Sequence, residues 1–178
     1  MNRPKLKFSF QNVGTLVALV ISSLALFVSI YEANLLKDQQ HAVVWPYVTV
    51  ASNFNASGFS FIAENNGTGP AIIESVEVKY DGQIFDNWLA LVKHIDLEAS
   101  IDYGNTKVNR FNKTVLPANK SVQLLHFSWN EETRELAKSL YKTKFTVGYS
   151  SIMGEQWTFR SGVAMPKQEA FKAQVEFE

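Results

Sequence analysis

The chain has 178 residues, 17 basic and 17 acidic, no cysteine, and 46% hydrophobic residues at a mean hydropathy of −0.08. The absence of cysteine excludes a disulfide scaffold, a thiol nucleophile and a thiolate metal site. Balanced charge argues against the concentrated basic face that nucleic-acid binding needs, and a high apolar fraction at near-zero hydropathy means the apolar residues are unevenly placed.

They are concentrated at the N-terminus. Residues 1–7 form a basic tip with Arg3, Lys5 and Lys7, which leaves 14 basic against 17 acidic residues in the rest of the chain. From Phe8 to Tyr31 run 24 residues without a charge. A helix needs about 20 such residues to cross a hydrocarbon layer of ~30 Å. Basic residues precede the run, so the positive-inside rule predicts a cytoplasmic N-terminus and an exported remainder. Ser23-Leu24-Ala25 offers a signal-peptidase-like site. The apolar run continues through Leu26, Phe27, Val28 and Ile30, longer than a signal h-region, which favours an uncleaved anchor. In a bacterium this places the chain in the inner membrane as a single-pass protein with a periplasmic domain.

Within the span, Gly14, Ala18, Ser22, Ala25 and Ser29 fall within an arc of about 80° at 100° per residue. A stripe of small residues lets two helices approach closely in lipid, where packing drives association. It predicts a protein partner or homo-oligomer through this helix. Residues 32–44 contain good helix formers and no Gly or Pro, so the helix should continue as a stalk. Pro46 should end it by about Val44. Trp45 and Tyr47 are expected to pack on the following domain.

Residues 45–165 read as a β-sandwich of short strands with one or two short helices. Strands are predicted at Tyr47–Asn53, Phe59–Glu64, Ala71–Tyr80 (imperfectly alternating), Gln83–Phe85, Ser100–Tyr103, Val122–Phe127, Lys144–Ser150 and Gln156–Arg160. Asn66-Gly67 and Asp81-Gly82 are turn signals. Asp86 or Asn87 can cap a helix carrying Trp88, Leu91 and Val92. Ser128 with Glu131 fits a capping box for a helix to about Lys142. In the tail, residues 166–178, Phe171, Ala173, Val175 and Phe177 alternate with polar residues. That pattern predicts an edge strand of the same sheet, or one pairing with a neighbour's edge.

Two resemblances rest on particular segments. Phe61 to Gly67, Gly69-Pro70-Ala71 and the strand to Tyr80-Asp81-Gly82 resemble the opening strands of bacterial immunoglobulin-like domains. Val115 to Ser121, leading to Phe127-Ser128-Trp129, resembles their later turn-and-strand segment, with Asn119 where a Gly is common. The 86–114 insertion departs from that pattern. Gln39, Gln40, Val44, Trp45, Pro46 and Tyr47, then Asn65 to Ala71, resemble a group of uncharacterised single-pass bacterial membrane proteins. These resemblances imply a fold and a topology, and no activity or site.

The residues offer little chemistry. His41, His94 and His126 have no metal-ligand spacing, and no Gly-x-Ser-x-Gly elbow surrounds Ser150 or Ser151. Asp96, Glu98 and Asp102 match no calcium loop. Lys107, Arg110, Lys113 and Lys120 read as a solvated basic stretch. Asn55, Asn66, Asn112 and Asn119 each open an N-x-Ser/Thr sequon at an expected exposed turn. The expectation is a membrane-anchored interaction or assembly module, not an enzyme, with no cofactor, metal or nucleic-acid partner. Two alternatives stay open: a small envelope enzyme using His94 or His126 with a distant carboxylate, and an accessory subunit of a membrane sensor or defence complex.

Overall fold

A computed structural model describes residues 10–95, 106–170 and 177. The predicted strand at Ser100–Tyr103, the acidic group Asp96, Glu98 and Asp102, and Phe171, Ala173 and Val175 lie outside the described residues. The chain divides into two compact units, Met1–Ala42 and Val43–Glu178.

The first unit is helical. Helix α1 is unbroken over Phe10–Val43. At ~1.5 Å per residue its 34 residues measure about 51 Å, longer than the ~30 Å a hydrocarbon core requires. Its apolar stretch, Asn12–Val43, is long and apolar enough to cross a membrane, and none of its most apolar window is buried within the chain.

The second unit is mostly β, with two antiparallel sheets. One has the order β1 (Val48–Asn55), β2 (Gly58–Asn65), β7 (Lys120–Ser128) and β5 (Thr106–Val108). The other has the order β10 (Lys167–Gln168), β9 (Gln156–Arg160), β8 (Lys144–Ser150), β3 (Ala71–Tyr80) and β4 (Gln83–Phe85), with β6 (Val115–Leu116) also on β3. Strand β5 was not expected, because only three residues of a polar stretch enter the sheet.

Turn chemistry sets the hairpins. Asp81 (φ 46°) and Gly82 (φ 84°) both occupy the left-handed region, so Tyr80 faces Gln83 across a two-residue turn. Asn119 also has a positive φ, 55°, which explains its standing where glycine is common. The imperfect alternation of β3 has a structural cause. Its pairing with β8 shifts between Ile73 and Ser75, and this bulge moves the inward positions from Ala71 and Ile73 to Val76 and Val78. A second bulge, in the β2–β7 ladder, lets consecutive Leu124 and Leu125 both be buried.

The sheets share one core, joined by aromatic rings. Phe61 on β2 meets Phe145 on β8 at 4.9 Å, and Trp88 stacks on Phe61 at 5.7 Å. Trp88 opens helix α2 (Trp88–Ile95), which Asn87 caps by accepting from the Ala90 N–H at 2.8 Å. Phe177 packs edge-on to Trp88 at 5.0 Å and is 6% exposed. That residue of the alternating tail therefore lies in the core of its own domain.

Helix α3 (Glu131–Leu140) corrects the predicted capping box. Its cap is Asn130, whose side chain accepts from the Thr133 N–H at 2.6 Å while the Thr133 hydroxyl accepts from the Asn130 N–H at 2.8 Å. Thr133 also donates to the Ser128 carbonyl at 2.9 Å, which fixes Ser128 two residues ahead of the cap. The helix stops at Leu140 rather than Lys142, since Lys142 and Thr143 turn back through bonds to Ser139 and Leu140.

Candidate functional site

The chain enters the second unit through a built junction. The Trp45 carbonyl accepts from the N–H groups of Thr68 (2.9 Å) and Gly69 (3.1 Å), and the Tyr47 carbonyl from Asn66 (2.8 Å). At the centre is Asn65, fully buried. Its Oδ1 accepts from the N–H groups of Tyr47 and Gly67, both at 3.0 Å. Its Nδ2 donates to the carbonyls of Gly69 (2.9 Å), Leu116 (3.0 Å) and Pro117 (3.3 Å). A Cβ at Gly69 would lie 2.0 Å from the Val44 carbonyl oxygen, and one at Gly67 2.3 Å from that of Trp45. The Val-Trp-Pro-Tyr and Asn-Asn-Gly-x-Gly-Pro segments thus form one clasp, and no chemistry is exposed there. Pro46 is buried, but Trp45 remains 40% exposed, edge-on to Tyr47 and Trp157 at 5.4 and 6.0 Å.

Tyr149 lies beneath this junction, fully buried, and its hydroxyl accepts from the Val48 N–H at 3.3 Å. Burial pushes its pKa up from 10.0 to about 12, against a smaller lowering by the Val48 bond and with a small further rise from Tyr47.

Gly14, Ala18, Ser22, Ala25 and Ser29 all lie on α1 and are exposed. The Ser22 hydroxyl donates to the Ala18 carbonyl at 2.8 Å, and Ser23 to Leu19 at the same distance. Each serine thereby satisfies its donor within the helix, which makes it compatible with lipid.

In the second unit His94 and His126 have separate surroundings. His94 is exposed, with its ring beside Phe85 (5.0 Å) and Tyr80 (6.2 Å). His126 lies half-buried in β7, and its Nδ1 has no hydrogen-bond partner among the described residues. Among the described residues no group of three His, Asp or Glu side chains could hold a metal ion. Ser150 donates to Glu74 on β3 at 3.0 Å, tying β8 to its neighbour, and Ser151 donates to Glu155 at 3.1 Å within the β8–β9 turn. Lys107, Arg110, Lys113 and Lys120 are exposed. Of the four sequon asparagines, Asn112 corrects the expected exposure, being 8% exposed with its Oδ1 unpartnered among the described residues.

The surface with most chemistry lies at the other end of β1. Strand β1 carries the chain about 23 Å from the clasp at ~3.3 Å per residue, to the hairpin at Asn55. At that end Phe54 (49% exposed) meets Tyr141 (63% exposed) at 5.8 Å and stacks on Trp129 at 6.4 Å. The Trp129 indole donates to the Asn55 carbonyl at 2.7 Å, and the Arg134 guanidinium lies 6.0 Å from its ring. Beside Tyr141, Lys142 and Lys144 border two open hollows of ≈ 460 and ≈ 610 Å³. The smaller also takes in Lys79, which stands directly opposite Lys144 in the β3–β8 ladder. The signal for this cluster was Lys142-Thr143-Lys144 after a helix, but Lys79 joins it only through the strand register.

Fold and site together define a class coarsely: a mostly β domain of two antiparallel sheets behind one N-terminal helix apolar enough to span a bilayer. No protein-family model, curated protein or solved structure matches the chain.

Proposed function

We propose that the protein is a single-pass, membrane-anchored, non-enzymatic interaction module, with its N-terminus cytoplasmic and an immunoglobulin-like sandwich on the other side of a bacterial inner membrane. The observation that carries this reading is α1, whose apolar length is uncovered by the rest of the chain and which needs lipid or a partner to be stable in water. The basic tip before it supports the orientation.

The strand order supports the finer reading of the domain. β1-β2-β7-β5 follows the A-B-E-D order of immunoglobulin sheets, and β9-β8-β3-β4 follows G-F-C with an added C′ strand. In antibody domains a disulfide joins strands B and F. Here Phe61 and Phe145 make ring contact between the corresponding strands, with Trp88 against both.

The anchor pairs through the face bearing Gly14, Ala18, Ser22, Ala25 and Ser29. Disulfide cross-linking in membranes, with one cysteine introduced at Ser29 of this cysteine-free chain, tests the pairing. Replacing Ala18, Ser22 and Ala25 by Leu should abolish the cross-linked dimer. An undiminished dimer would refute the role of that face.

A further inference from the structure

We infer that the end of the domain bearing Tyr141, Lys142, Lys144 and Lys79 binds a polymer of acidic sugars, the carboxylates lying among the lysines and a sugar face on Tyr141. This rests on the reading of the domain as a binding module and names its ligand class.

The charge is placed against the domain's own stability and average. Residues 43–178 contain 13 basic and 15 acidic residues, so positive charge is not in excess overall. Yet Lys79 and Lys144 are direct cross-strand neighbours, an arrangement that costs stability through like-charge repulsion. Lys142 adds a third ammonium to the same hollow. Asp81 lines it and Glu77 is nearby on β3, but among the described residues none of the three lysines has a carboxylate within ion-pair distance. A cluster without its own counter-ions is complementary to an external anion.

The surroundings select the kind of anion. Lysine ammoniums are flexible point charges, suited to carboxylates spaced along a chain rather than to one planar fork. Both hollows are open and both are bordered by Lys142 and Lys144, which suits a polymer lying across the surface better than a small molecule held in an enclosed pocket. Tyr141 lines the larger hollow at 63% exposure, and the electron-rich face of an aromatic ring attracts the C–H edges of a pyranose. Thr143 between the two lysines is 7% exposed, so Tyr141, Lys142 and Lys144 form the open part of this edge. An acidic peptide would match the charge but would make no particular use of an exposed aromatic face.

The test is binding of a fluorescent galacturonate oligosaccharide to the full chain in detergent micelles, beside poly-glutamate of equal charge and a neutral glucose oligosaccharide. The galacturonate should bind, and poly-glutamate and the neutral sugar should bind at least about tenfold more weakly. Lys142→Gln, Lys144→Gln and Tyr141→Ala should each weaken galacturonate binding about tenfold. Lys144→Gln should at the same time hold or raise Tm, because it removes the repulsion with Lys79. Equal binding of poly-glutamate, absence of galacturonate binding, or binding unchanged in the three variants would each overturn the inference. Recovery of the oligosaccharide uncleaved is the result the non-enzymatic reading requires. Cleavage by the wild-type chain would contradict that reading while leaving the site in place.

Discussion

Replacing Asn65 by Ala tests the clasp, because one side chain serves five backbone groups there. Three of those bonds, to the Gly67 N–H and the Gly69 and Leu116 carbonyls, are buried. Water can re-satisfy the part-buried Tyr47 N–H and Pro117 carbonyl. A buried group left unpaired costs about 1–3 kcal/mol, so with incomplete additivity the loss is about 3–5 kcal/mol. Against a total of about 5–15 kcal/mol for a domain, that should lower Tm by roughly 10–20 °C. Urea unfolding of the full chain in mild detergent, followed by tryptophan fluorescence, measures it. Asn65→Asp divides the contributions further: it keeps the acceptor but turns a carboxylate toward the Gly69 and Leu116 carbonyls. Those carbonyls raise the folded-state pKa of that carboxyl above its unfolded ~3.9, so its stability is present in acid and lost as pH rises. The deficit relative to wild type should therefore be smaller at pH 4 than at pH 7. A loss below about 1 kcal/mol for Asn65→Ala would refute the reasoning, since it would mean these bonds are readily replaced.

Other predictions follow from the same packing. Gly69→Ala should destabilise the domain by at least about 2 kcal/mol, as the Val44 backbone must move, and calorimetry should show a lower Tm. Tyr149 should give a tyrosinate absorbance step near pH 12; since its folded pKa is raised, its stability contribution is present below pH 10.0 and lost as pH climbs toward about 12. Tyr149→Phe should cost about 1–2 kcal/mol by stranding the Val48 N–H, seen in urea unfolding at neutral pH. Phe177→Ala should cost about 2–4 kcal/mol and alter the Trp88 fluorescence, and an unchanged unfolding midpoint would show that its ring does not support the core.

Much of the strand plan was legible because turn residues punctuate it. Asp81-Gly82 delimits β3 and β4 by a backbone conformation few other pairs adopt, and β8 and β9 flank the turn at Met153-Gly154-Glu155. What escaped the sequence depends on partners. The phase change in β3 belongs to its ladder with β8, and the paired burial of Leu124 and Leu125 to the ladder with β2. Ser128 with Glu131 has the spacing of a capping box, but Thr133 bonds to both Asn130 and the Ser128 carbonyl and so sets the α3 cap at Asn130. The lysine cluster was illegible for the same kind of reason: Lys79 and Lys144 are distant in sequence and meet only through register. The clasp residues are visible as motifs, but their role depends on the packing of Gly67 and Gly69 against the Val44–Tyr47 backbone, which no spacing encodes.

The central claim is one membrane crossing with the β domain on the non-cytoplasmic side. The chain has no cysteine, so a single introduced thiol reports its own location. Asn2→Cys in the basic tip and Ala56→Cys in the exposed β1–β2 turn can each be treated with a membrane-impermeant thiol reagent in intact spheroplasts. Labelling of Ala56→Cys in intact cells, with Asn2→Cys labelled only after lysis, is the predicted result. Protection of Ala56→Cys until lysis would contradict the account.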